Sequence, residues 1–413
     1  MRIDTGDTAW LLLCTALVLF MAPGLAIFYG GMVRSKHVLS MLAQNFAVIA
    51  VVSLVWVAVA YSLAFGGDRA LIGGLHFAGF AHPNDAVPGL HLTVPPLAFA
   101  AFQMMFAVVT TALLTGAGAD RMRFTGFLVF AALWVVIVYA PLAHWVFSPT
   151  GWLARQGVLD FAGGTVVEIN AGASALALVI VVGRRRGWPH EAMIPHSLPL
   201  TLLGAGILWF GWFGFNAGSA LAAGHLATQA LVNTHLAACG GLLAWALLER
   251  RATGHATTLG AASGAVSGLV AITPAAGYVN SLGAIAIGLL AGAAGLYAIR
   301  LKFRYGYDDS LDVVGVHGVC GLVGTLAVGV FATRTVNPAG SGLVDGSGLH
   351  LLGEQALGVV VAITWAFVVT WLLATAVEKT IGLRVGEETE LRGLDMAVHA
   401  ETAYEHSNFG TRS

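Results

Sequence analysis

The sequence predicts an all-α integral membrane protein of eleven transmembrane helices, an inverted repeat of five plus five spans with one extra C-terminal helix, N-terminus out and C-terminus in. Three observations carry that expectation. Apolar residues make up 57% of the 413 and charged residues only 10%, against about 25% charged in a soluble domain, so most of the chain has no water-facing surface. The apolar residues gather into segments long enough to cross lipid, which takes about 20 residues in a helix. Between segments, connections rich in Lys and Arg alternate with connections that hold few, and that bias sets orientation.

In chain order the spans read as roughly 9–31, 40–65, 97–118, 124–147, 161–182, 197–217, 225–248, 257–275, 280–299, 311–332 and 353–380. The first lacks a basic, short-apolar, small-residue cleavage pattern and runs on through PGLAIFYGG, so it reads as a retained span. The fourth, fifth, sixth and tenth contain Pro, Gly or an ionisable group, which neighbouring helices in a bundle accommodate. The 53 glycines point the same way, because helices in lipid associate by close approach and small residues permit it. One set of connections holds 12 basic residues, from Arg34 and Lys36 to Arg300, Lys302 and Arg304; the other holds only Arg69, Arg155 and Arg334. The expected organisation is a membrane domain over 1–383, with repeat one about 9–182, repeat two about 197–332 and the extra helix about 353–380, followed by a polar cytoplasmic tail over 384–413.

The fifth and tenth spans share a frame. Asp160, Glu168 and Gly172 in DFAGGTVVEINAG superpose on Asp309, His317 and Gly321 in the stretch ending VGVHGVCG. In opposed spans, Asp160 starts its helix at the outer face and Asp309 at the inner face. Eight residues at 1.5 Å each carry Glu168 and His317 about 12 Å inward from opposite sides, near the middle of a core about 30 Å thick. Ionisable residues at that depth are costly and mark function, and inverted-repeat transporters bind substrate at the midplane between repeats. A carboxylate and an imidazole are therefore expected to meet in a pore.

Other readings narrow the field. A net charge of −1 argues against a nucleic-acid partner. Cys14, Cys239 and Cys320 lie in apolar spans and read as packing residues, with no disulfide implied. No phosphate-cradling loop, metal-ligand cluster, cofactor motif or nucleophile beside a base is visible, so neither an enzyme nor ATP-driven transport is expected. Asp160 also fits a helix cap, and Asp309, Asp312, His144 and Tyr139 read as structural.

The segments PGLAIFYGGMVR (23–34), FQMMFA (102–107), DFAGGTVVEINAG (160–172), GWFGFNAGSA (211–220), DVVGVHGVCG (312–321) and GLRVGEETELRGLD (382–395) resemble the signatures of the Amt/Mep/Rh ammonium transporter family, bacterial Amt branch. The resemblance runs from the first span into the tail. It implies a homotrimer in the bacterial cytoplasmic membrane, each protomer with its own pore for ammonium, ammonia and methylammonium. By motif, Phe106 and Phe215 match the stacked phenylalanine gate, His317 the second of the pore's twin histidines, Trp212 a pore-lining residue, Ser219 the outer recruitment site and Asp160 the acid supporting that site from below. Two positions depart from the pattern. Glu168 stands where the first twin histidine is expected, as in certain fungal members. Phe147, in AHWVF, stands where the outer tryptophan is expected, and such a site is expected to recruit less tightly than a tryptophan one unless Trp145, two residues earlier, substitutes.

On this reading ammonium is drawn to the aromatic entrance, loses a proton, passes the phenylalanine gate as ammonia, and its proton is relayed by the Glu168–His317 pair. The alternatives are an ammonium sensor with low flux, a passive ammonia channel, or a variant leaky to potassium. The tail resembles the family segment that couples protomers and docks a PII-type signalling protein.

Overall fold

The computed structural model describes residues 2–404. Among them, ten helices are long and apolar enough to cross a membrane: α1 (Thr5–Met32), α2 (Ser35–Phe65), α3 (Pro96–Ala117), α4 (Phe124–Arg155), α5 (Gly164–Val182), α6 (Leu198–Gly218), α7 (His225–Thr253), α9 (Ser281–Tyr305), α10 (Val314–Phe331) and α11 (His350–Thr380). The shorter apolar helix α8 spans Thr258–Ile272. The chain is thus an all-helical, multi-pass membrane protein whose only strand-like contacts among the described residues are the isolated bridges Met122–Arg384 and Val279–Ala332.

Helix α8 stops short of the expected 257–275. Its 15 residues cover about 22 Å, less than the hydrocarbon core. Pro274 explains the stop, since proline lacks an amide hydrogen and its ring clashes with the preceding turn. The chain then continues as buried turns through Val279, with Ala275, Ala276 and Val279 fully covered. Irregular backbone at that depth needs partners inside the protein. Asn233 of α7 supplies them, its Nδ2 donating to the carbonyls of Ala276 at 2.9 Å and Val279 at 2.7 Å.

Polar caps set the helix starts. Asp4 accepts from the Asp7 amide at 3.0 Å to begin α1, and Thr257 and Asn280 accept at 2.9 Å from Gly260 and Gly283 to begin α8 and α9; such caps satisfy amides that have no partner within the helix. Helix α1 lies along α6, and α5 crosses α10. At that crossing a Cβ built on Gly318 would sit 3.1 Å from the Cα of Gly172, so the two backbones touch with no side chain between them.

One end of the bundle carries the N-terminal segment: Thr93 donates its hydroxyl to Asp7, and Asp7 accepts from the Ala223 amide at 2.8 Å. The other end is basic and tied by ion pairs. Arg185 holds Asp308 at 2.8 Å and Arg34 holds Asp120 at 2.9 Å. Buried Arg121 donates to the Ser310 hydroxyl at 2.7 Å and the Asp308 carbonyl at 2.6 Å. Burial opposes ionisation of Asp308, but the Arg185 hydrogen bond and the charges of Arg121 and Arg185 outweigh it and hold the carboxyl below its usual range.

The described part of the tail packs on this basic end. Asp395 caps α2 by accepting from the amides of Leu39 at 3.0 Å and Ser40 at 2.8 Å, while Glu390 pairs with Arg384 at 2.8 Å and accepts from the Arg186 amide at 2.7 Å. Residues 405–413 of the expected 384–413 tail lie outside the described residues.

Candidate functional site

At the N-terminal end, a cavity of about 340 Å³ opens between α3, α4, α6 and the segment before α5; Phe106, Phe147, Asp160, Ser219, Gln103 and Tyr278 are among its walls. Asp160 is there as a cap. Its Oδ1 accepts from the amides of Gly163 at 2.8 Å and Gly164 at 2.6 Å, and its Oδ2 from Thr165 at 2.8 Å and from the Thr165 hydroxyl. Four residues ahead of α5, it gathers amides that the helix start leaves without partners, and fixes the floor of the cavity in doing so.

Ser219 ends α6 and donates its hydroxyl to the Phe215 carbonyl at 2.9 Å. Its oxygen keeps lone pairs to accept from a ligand. Phe147 presents a half-buried ring to the same cavity, edge-on to Phe106 at 6.3 Å between centroids. Trp145 does not substitute for it: its indole donates to the Leu71 carbonyl at 2.6 Å and packs on Trp365 at 4.8 Å. The aromatic ring that position 147 offers this cavity is therefore a phenylalanine, with no tryptophan beside it among the described residues.

Behind the cavity wall, Phe106 and Phe215 stack with centroids 4.2 Å apart and 29° between planes, and both are buried. Trp212, one turn back along α6, lies 5.6 Å from Phe215 and donates its indole N–H to the Thr273 hydroxyl at 2.9 Å. Thr273 caps the end of α8 in helical backbone, and its own hydroxyl donates to the Leu269 carbonyl at 2.8 Å, which leaves the oxygen free to accept from the indole. A membrane-buried indole needs such a partner.

Glu168 and His317 meet. The imidazole Nδ1 lies 2.7 Å from the carboxylate Oε2, with the side chains 1% and 4% exposed for Glu168 and His317. Both sit in helix starts wound one residue wider than an α-helix, Gly164–Ile169 and Val314–Val319, a winding frequent at functional sites. Each start is fixed by an aspartate five residues ahead of a bonded amide: Thr165 donates to Asp160, and Val314 to Asp309 at 2.7 Å. The equal offsets expected from the shared frame are what bring the two side chains together. Gly321 makes room, since a Cβ there would lie 2.7 Å from the Glu168 Cβ.

At the basic end a second cavity, about 440 Å³, includes Arg185, Trp188, Lys302, Ser310 and Asp312 in its walls. Lys302 pairs with Asp312 at 2.6 Å. Asp309 is pushed up to about 6 by burial and by the neighbouring Asp312 charge, against the pull of Lys302. Asp309 and Asp312 hold structure here, and so does His144, whose ring nitrogens lie 2.7 Å and 2.6 Å from the carbonyls of Ala64 and Arg69.

Sequence reasoning missed Gln103 and Tyr278 in the walls of the first cavity, Thr273 behind Trp212 and Lys302 at the basic end. Of these, Thr273 alone carried a local signal, in the proline that follows it. It also missed a cluster of His76, His82 and Asp85 between α2 and α3, where no metal-ligand grouping was expected.

The chain matches the profile of the Ammonium Transporter Family over residues 9–404. It is 48% identical to an ammonium transporter of Mycobacterium tuberculosis H37Rv, covering 97% of this chain and 91% of that one, and 46% identical to an ammonium transporter of Bacillus subtilis, covering 97% and 99%. Among solved structures, Mep2 of Candida albicans superposes with a TM-score of 0.88 at 35% identity over 94% of this chain and 88% of that one. A protein described as a Sensor Amt Protein superposes at 0.87 with 34% identity over 95% and 98%. With a match that begins in the first membrane helix and ends in the tail, on a fold shared with Mep2, this chain belongs to the ammonium transporter family.

Proposed function

We propose that this protein carries ammonium and methylammonium across the bacterial cytoplasmic membrane as a homotrimer of eleven-span protomers, N-terminus out, each with its own pore. The observation that carries the pore reading is the buried contact of Glu168 with His317, 2.7 Å apart. In this reading the cavity of Phe147, Ser219 and Asp160 recruits the cation: an aromatic face attracts it by about 0.5–2 kcal/mol, and the Ser219 oxygen accepts a hydrogen bond that potassium cannot donate. The carboxylate of Asp160 supports the site electrostatically through the helix start it caps.

The stacked Phe106 and Phe215 oppose passage of a charge, because an ion there loses its water with nothing in exchange. Deprotonation lifts that cost for ammonium and methylammonium, whereas metal cations have no proton to lose. Trp212 lines the path beyond. Glu168 and His317 then pass the proton, as carboxylate with imidazolium or as two neutral groups sharing one hydrogen; such a pair titrates as a unit. Net ammonium moves, and the carboxylate alters the pH dependence relative to two histidines.

Ammonium-evoked current from protein reconstituted on a lipid-supported membrane tests the reading, with potassium as the competing ion. Glu168→Gln retains shape and size but holds no negative charge; the relay requires that its current vanish while the assembly stays intact. A sensor with little flux is the second reading, favoured by the superposition on the Sensor Amt Protein; uptake of radiolabelled methylammonium separates the two. Docking of a PII-type protein on the tail and basic end is the partner expected from the family, and a pull-down with the cognate PII protein tests it.

A further inference from the structure

The connection between α2 and α3 carries a site that neither the pore nor its entrance uses. It is folded against the helices by aromatic anchors. Phe77 is buried, its amide donates to the Ser62 hydroxyl at 2.8 Å, and its ring lies 5.5 Å from Tyr61; Phe80 meets the same tyrosine edge-on at 5.5 Å. Between the anchors the chain reverses through Gly79 and Phe80, at φ of 68° and 54°. Left-handed backbone at a phenylalanine is uncommon and persists only where the surroundings enforce it. The reversal brings back His82 and Asp85 beside His76.

We propose that His76, His82 and Asp85 bind one late first-row divalent metal ion of the zinc type. One ligand atom from each residue lies within 4.8 Å of the other two. His76 Nε2 is 2.8 Å and His82 Nδ1 4.0 Å from Asp85 Oδ2. Ligands on a tetrahedral zinc at about 2.1 Å stand about 3.4 Å apart, so the two histidine–aspartate separations change by about 0.6 Å each on coordination and the histidine–histidine separation, within 4.8 Å, closes by at most about 1.4 Å. Two imidazoles and a carboxylate are a donor set such ions favour, with water at the open position. The imidazoles are now stacked, centroids 4.3 Å apart and 3° between planes, and each must turn about its Cβ–Cγ bond to aim a lone pair at the shared ion. Both side chains are half exposed, which leaves room for that turn, and the His76 ring makes it along Phe77, which it meets edge-on at 4.9 Å between centroids. As a bare surface ion pair the same grouping would contribute little. The site lies at the N-terminal end, on the connection that also supplies Leu90 to the entrance cavity.

The test is calorimetric titration of the tag-free full chain in detergent with zinc, repeated with cobalt to read the ligand-field absorption of the bound ion. One saturable high-affinity site per chain is expected. His76→Ala and His82→Ala should each weaken it by about tenfold or more, by analogy with the loss on disturbing a metal's surroundings; Asp85→Asn should weaken it and change the cobalt spectrum; and the double histidine variant should not bind. Elution volume and helical circular dichroism report that these variants remain folded. His350→Ala, at the exposed His350–Glu354 pair, should bind as the parent does. A parent without a saturable site, a double variant that binds like the parent, or loss of the site in His350→Ala overturns the proposal.

Discussion

Glu168 and His317 are 149 residues apart in the chain and 2.7 Å apart in space. Each is carried in by a helix whose first turn is overwide and pinned by an aspartate. Replacing Glu168 by Gln should leave helical content and oligomer size unchanged and eliminate ammonium-evoked current, while Glu168→His, which supplies a second imidazole, should keep current and move its pH dependence. Undiminished current in Glu168→Gln would retire the relay.

Phe106 and Phe215, stacked at 4.2 Å, close the path to hydrated ions on this reading. Phe215→Ala removes a buried ring and should cost about 3–5 kcal/mol of stability, so Phe215→Leu is the better probe. The leucine variant should admit a measurable potassium current where the parent passes ammonium alone. Equal selectivity in both would assign the stack to packing.

At the entrance, Phe147→Trp should strengthen cation recruitment by about 0.5–1 kcal/mol, roughly a two- to fivefold lower half-saturating methylammonium concentration. Trp145→Phe should leave that concentration unchanged, since the Trp145 indole points to Leu71 and Trp365; it should instead lower the unfolding temperature through the lost hydrogen bond. Uptake titrations with both variants check the pair of expectations.

Asp309 lies between α9 and α10, pushed up from 3.8 to about 6 by burial and by Asp312. A carboxyl whose folded value is raised loses stability as pH climbs from its unfolded value through its folded one, here from about 4 to about 6. Asp309→Asn, which keeps an acceptor for the Val314 amide, should therefore be more stable than the parent at pH 8, by on the order of 1–3 kcal/mol, with the margin narrowing toward pH 5. Thermal unfolding in detergent across that range reads it. A margin independent of pH would show that folding does not raise the Asp309 carboxyl.

The midplane pair was legible because its two halves obey one count: an aspartate, then an ionisable group eight residues on, then a glycine four further. That Trp145 turns away from the cavity of Phe147 was not, although the geometry was available. Residues two apart on a helix point about 200° away from each other, so Trp145 and Phe147 could never serve one site. The end of α8 was hidden because ITPAAGYV is apolar enough to read as span, and only Pro274 tells where the helix stops. His76, His82 and Asp85 escaped because left-handed backbone at Gly79 and Phe80 brings them together, and no spacing rule encodes that reversal.

The contact of Gly172 with Gly318 has a consequence for how such a protein changes over time. Where two main chains touch directly, the distance between the helices is set by backbone thickness and owes nothing to the groups displayed one turn away. Histidine can give way to glutamate on such a scaffold without any helix moving, so that proton affinity is free to drift while the architecture stands still. Enlarging either glycine should do the reverse, keeping every ionisable residue in the sequence and silencing the protein by parting the helices that carry them.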